Sequence, residues 1–136
     1  MSINEADVRR VCNEILDLDE AILGTSIMNK SGNILTTMSK PVLERLFNLP
    51  PDIKANSGTA ATMMMGMAKD MERVFGATKS IVSIHTKSIL MLIPAITGSN
   101  EEELLIGLVL QPSVNIEYIF ERVQKLLLSS DMLHGR

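Results

Sequence analysis

The chain has 136 residues, 46% of them hydrophobic, with 13 basic and 16 acidic side chains giving a formal charge of −3. One domain with one core fits that length, and a second has no room. With no basic run and only Phe47, Phe75, Phe120 and Tyr118 as aromatics, the composition argues against a nucleic-acid partner, which demands clustered cations and stacking rings.

The longest apolar stretch is a few residues, short of the roughly 20 that cross a bilayer, and no signal-peptide pattern opens the chain. A cytoplasmic protein without membrane insertion is expected, and a lone Cys12 agrees with a reducing compartment.

Asn4 is placed to cap a first helix, in which Val8, Val11, Cys12 and Ile15 form one apolar stripe running to about Leu18. A β-hairpin follows, with strands over Ile22 to Met28 and Asn33 to Met38 about the turn Asn29-Lys30-Ser31-Gly32, where Gly32 supplies a positive φ. Ser39 to Asn56 reads as an insertion. It holds a short helix with Leu43, Leu46 and Phe47 on one side, ended by Pro50-Pro51.

A longer middle helix is expected from near Ile53 or Ser57 to Phe75, with Gly76 as its C-terminal cap. Three strands in an antiparallel meander come next, about Lys79 to His85, Ser88 to Ile96 and Glu103 to Gln111. Pro112 closes the last of them and Asn115 caps a final helix with Ile116, Ile119, Phe120, Val123, Leu126 and Leu127 on one face. Residues 129–136 read as a flexible tail. The expected fold class is α+β, a single layered domain over 1–136 with a five-stranded antiparallel sheet in the order α-β-β-α-β-β-β-α.

The middle helix holds the most unusual composition. At about 100° per residue, Ala60, Met63, Met64, Met67, Met71, Val74 and Phe75 share a band that Ala61, Met65 and Ala68 widen. Packing on one sheet needs only about a 100° stripe, so the surplus asks for a second burying surface. Gly58, Thr62 and Gly66 form a small-residue ridge at i, i+4, i+8, suited to close approach of another helix. Two readings stand: methionines filling a core, or a core plus a self-association face.

The strand with Ile81, Ser83 and His85 lies at a sheet edge in the simplest layout, a pairing hazard unless covered or paired. The insertion is one element that could cover it. His85 and His134 have no Cys, Asp or Glu at metal-ligand spacing, and a lone strand histidine is more often structural than a base. Cys12, on the apolar stripe, reads as a core residue, and the acidic groups Asp17, Asp19, Glu20 and Glu101 to Glu103 as solvated charge. No P-loop, G-x-G-x-x-G or G-x-S-x-G pattern occurs. A non-catalytic protein with no cofactor and no metal site is expected.

Three stretches resemble the roadblock/dynein light chain family, which is profilin-like: the hairpin Ile22 to Leu35, the strand pair Ser88 to Pro94 and Leu104 to Leu110, and the wide-faced middle helix. The resemblance implies a homodimer or heterodimer joined through the third strand and the middle helix, with the sheet continuous across the interface. It also implies a scaffold or regulator of small Ras-like GTPases, motor complexes or signalling assemblies. The expected interface comprises Gly58, Thr62, Met63, Met65, Gly66, Met67, Lys69, Asp70, Arg73, Ile81, Ser83 and His85. The alternative is a sensory domain of PAS-like plan, with the Met63 to Met71 face lining a small-molecule pocket.

Overall fold

A computed structural model of the chain describes residues 5–97, 102–130 and 133–135. Helix α1 (Glu5–Leu16) buries Val8, Val11, Cys12, Ile15 and Leu16, the stripe its spacing predicts. The Asn4 cap lies outside the described residues.

Strands β1 (Ile22–Asn29) and β2 (Ile34–Ser39) pair as the expected hairpin. The Asn29 side chain accepts hydrogen bonds from the amides of Ser31 and Asn33, both at 3.0 Å. Gly32 sits at φ +88°, a region costly for any residue with a Cβ.

The insertion carries α2 (Pro41–Leu46), and α3 (Pro51–Asp70) begins after a link of four residues. Pro51 therefore opens the middle helix instead of closing the short one. Its fixed φ suits the first helical position, where the missing N–H would have had no intrahelical partner. The middle helix is also not continuous to Phe75: it breaks at Met71 and resumes as the single turn α4 (Glu72–Phe75). Gly76, at φ +91°, ends it as predicted, its amide bonding the Glu72 carbonyl at 2.8 Å.

Strands β3 (Ile81–Ile84), β4 (Ile89–Thr97) and β5 (Glu103–Leu110) form the meander. Asn115 accepts from the Tyr118 amide at 3.1 Å and caps α5 (Ile116–Ser129). The stretch expected as a flexible tail instead contributes a short strand, β6 (Leu133–Gly135), paired with Ala95, Ile96 and Thr97 of β4. A three-residue strand has too little pattern to be read from periodicity.

The sheet runs β2-β1-β5-β4-β3, with every pairing antiparallel and β6 added on β4. Since side chains alternate along a strand, the register fixes two faces. On one, Ile27, Met91, Ile93, Ile106, Leu108 and Leu110 meet α1 and α5 in the main core, with Ile119, Val123 and Leu127 of α5 fully buried. On the other, Met28, Leu92 and Leu105 meet Ala61 and Met65 of α3, with Ile81 at the margin.

Candidate interaction surface

Helix α3 rests on the sheet by a narrow strip. Gly58, Ala61 and Met65 are its buried residues, and at about 100° per residue they fall within a 60° arc. Two glycines make the close approach at its N-terminal half. Gly58 lies directly on the Gly32 carbonyl of the hairpin turn, and a Cβ at Gly32 would come 2.9 Å from the Gly58 carbonyl. Thr62 Oγ1 stays within its own helix, donating to the Gly58 carbonyl at 3.0 Å.

The rest of the apolar band faces away from the sheet. Met63, Met64, Met67, Met71, Val74 and Phe75 are all exposed, Met67 at 71% and Phe75 at 76%. The residues expected to widen the band, Ala61 and Met65, are the ones that bind the sheet. Monomeric proteins seldom leave a contiguous apolar surface of this kind uncovered.

The expected interface residues therefore divide. Gly58 and Met65 face their own chain, Met65 being only 3% exposed, so neither is offered to a partner as the fold stands. Gly66 has nothing within 4 Å of a Cβ built on it. Met63, Met67, Asp70 and Arg73 are exposed, and Lys69 Nζ pairs with Glu103 Oε2 at 2.7 Å. The ridge of small residues is split in the same way: Gly58 makes the contact with the hairpin, Thr62 Oγ1 bonds back to Gly58, and only Gly66 is open.

Ile81, Ser83 and His85 sit on or just beyond β3, and among the described residues no strand pairs with its outer side. The His85 amide donates to the Ser88 carbonyl at 2.9 Å, so in the antiparallel ladder His85, Ser83 and Ile81 direct their backbone toward β4. Val82 and Ile84 direct theirs outward. The Ile84 side chain, 72% exposed, lies with its partner Ile89 on the α1 and α5 side of the sheet, away from the α3 band. Ser83 Oγ and His85 Nε2 lie 2.7 Å apart, a hydrogen bond that ties the imidazole to its own strand.

The insertion reaches the end of β3 at His85 and the turn that follows it. Leu43 lies over Gly24 of β1, and Leu43, Phe47 and Leu49 border a shallow cleft of about 310 Å³ with His85 to Ser88, Leu90 and Val109. The cleft lies under the insertion, away from the space between the methionine helix and the sheet, where the packing of Met65 on Leu92 and Leu105 leaves side chains in contact. Among the described residues no group of three or more His, Cys, Asp or Glu is placed to hold a metal ion. Cys12 is buried with Sγ 3.6 Å from the Thr25 carbonyl. Burial pushes its thiol up to about 11, against the opposing hydrogen bonds with Thr25 and Met38, which makes it a packing residue and a poor nucleophile.

Sequence reasoning left Met71, Val74 and Phe75 out of the expected interface, although the structure exposes them beside Met67. The signal was present in the band itself but lacked a phase: with apolar residues on nearly half the circumference, periodicity does not say which part meets the sheet.

The sequence matches no family model and no curated protein. Solved structures do match. A Roadblock/LC7 domain from Streptomyces avermitilis superposes with a TM-score of 0.64 at 10% identity, covering 88% of this chain and 91% of that one. MglB in a tetrameric arrangement gives 0.62 at 15% identity, covering 93% and 87%. LokiProfilin1 in its complex with rabbit actin gives 0.56 at 14% identity, covering 93% and 94%. At such identities the likeness is one of fold, and the fold of this chain is the roadblock type of the profilin-like plan.

Proposed function

Starting from that roadblock-type fold, we propose that the chain is a non-catalytic interaction module that forms a homodimer through α3, α4 and the outer edge of β3. The observation that carries this reading is the exposed band of Met63, Met67, Met71, Val74 and Phe75, on the sheet face that also carries Ile81 of β3, whose outer side no described strand pairs. Two copies related by a two-fold axis bring identical surfaces together, so a patch that is apolar on one copy meets an apolar patch on the other. The edge supplies direction to an otherwise non-directional contact. Within a protein contact, outward backbone groups at Val82 and Ile84 are satisfied in register by a strand laid alongside.

A dimer of this kind serves as a platform. The family resemblance supplies the class of partner, a small Ras-like GTPase or a signalling assembly, acting in the cytoplasm. Pull-down with small GTPases loaded with GDP or with a GTP analogue tests that part, and equal absence of binding in both states would remove it.

The dimer is tested by light scattering at micromolar concentration on the wild type and Met67→Asp. Because Met67 is exposed in the single chain, the charge does not enter the core and the variant folds as the wild type does. Dimeric wild type with monomeric, folded Met67→Asp is the expected result. A monomeric wild type would overturn the reading. Gly66→Leu, with open space around the new side chain, separates a close helix-to-helix approach from a looser contact: unchanged association in that variant excludes the close one.

A further inference from the structure

The β3 edge is longer than β3. Both β3 and β6 lie on the side of β4 away from β5, and both run antiparallel to it: β3 covers Ile89 to Leu92, and β6 covers Ala95 to Thr97. Placed end to end they form one interrupted edge strand of seven residues. The interruption falls opposite Ile93 and Pro94. On that side of β4 the even-numbered residues present their backbone, as the Ser88 carbonyl does to His85, and Pro94 has no N–H to leave unpaired.

The same alternation gives the direction of every backbone group in this row. Opposite Ile96, His134 is paired inward, so Leu133 and Gly135 point outward, as Val82 and Ile84 do. In β4 numbering the four outward residues stand opposite Ile89, Met91, Ala95 and Thr97, which are two and four residues to either side of Ile93. That row is symmetric about its own centre. A row of donors and acceptors symmetric in this way is self-complementary under a two-fold axis, the requirement of an isologous interface.

We propose that two copies of this chain join along the composite edge, with the axis at Ile93, so that Val82 pairs with Gly135 of the second copy and Ile84 with its Leu133. This deepens the homodimer reading above and rests on it. Pairing through β3 alone, centred on Ser83, would match only Val82 with Ile84. The composite register doubles the ladder and makes β6 (Leu133–Gly135) part of the interface.

Cysteine pairs distinguish the registers. In the composite register Ser83 stands opposite His134 of the second copy, and both are inward-paired residues, the close-spaced geometry that suits a cross-strand disulfide. Within one chain the two are about 20 Å apart along the row, too far to bridge. Under oxidising conditions the double variant Ser83→Cys with His134→Cys is expected to give a covalent dimer, and each single variant none. A covalent dimer from Ser83→Cys alone would overturn the proposal in favour of the β3-only register. A wild type that is dimeric while the double variant does not cross-link would overturn it as well, and a monomeric wild type would overturn the dimer reading beneath it.

Stopping the chain after Ser130 gives the thermodynamic counterpart. The dimer dissociation constant is expected to rise at least about tenfold, the equivalent of one or two net hydrogen bonds. Equal or tighter association, with an unchanged circular dichroism spectrum, would show that the tail shields the edge and would overturn the proposal.

Discussion

The two faces of the sheet solve the same problem to different degrees. Toward α1 and α5, two amphipathic helices close over the strands, and Cys12, Ile15, Ile93, Ile106, Ile119, Val123 and Leu127 are shut off from solvent. Toward α3, the buried set is Met28, Ala61, Met65, Leu92 and Leu105, held under a helix that is otherwise exposed. The first face holds most of the buried core, while the second leaves an apolar surface in water.

Ile106→Ala tests the closed face and should show the largest effect. Ile106 stands opposite Ile93 in the register and is fully buried, so a loss of about 3 to 4 kcal/mol is expected in urea denaturation. Met65→Ala probes the open face. Its cavity opens under a helix able to settle, which places the loss nearer about 2 kcal/mol. Equal costs at the two sites would contradict the division of labour between the faces.

The Cys12 thiol gives a smaller effect with a defined sign. Folding holds its pKa near 11 against an ordinary value of 9.0, so above pH 9 the unfolded chain releases a proton that the folded chain keeps. Its contribution is complete below the ordinary value and is lost as pH rises toward 11. Wild type should therefore lose stability relative to Cys12→Ala over that interval, and a difference independent of pH would refute the assignment. Smallest of all, Met67→Asp should shift the stability of the single chain by no more than about 0.5 kcal/mol, as a surface change does. A larger loss would mean that α3 needs its outer face to fold.

Most of the layout was legible from residue pattern. The stripe Val8 to Ile15, the turn at Gly32, the cap at Asn115 and the break at Gly76 each announce themselves by spacing or by a conformational demand that few residues meet. Four things were not legible, each for a physical reason. Pro51 reads equally as the end of one helix and the start of the next, because proline suits both places. The break at Met71 has no marker residue.

The third is the seat of α3. Gly58 looks like half of a helix-packing ridge until Gly32, 26 positions earlier, is seen lying against it, a long-range contact that no local period encodes. The last is β6, whose partner is chosen by the open side of β4 and not by its own three residues. The candidate surface was thus found in composition and placed only by the structure.

The exposed band is built from thioethers where it could have been built from rings. A methionine side chain has three rotatable bonds and a polarizable sulfur, so its contour is set by whatever lies against it. A surface of Met63, Met67 and Met71, framed by Val74 and Phe75, has no single shape to be matched. In the proposed homodimer every substitution in this band would appear on both sides of the contact at once, and thioethers on each side could adjust to it.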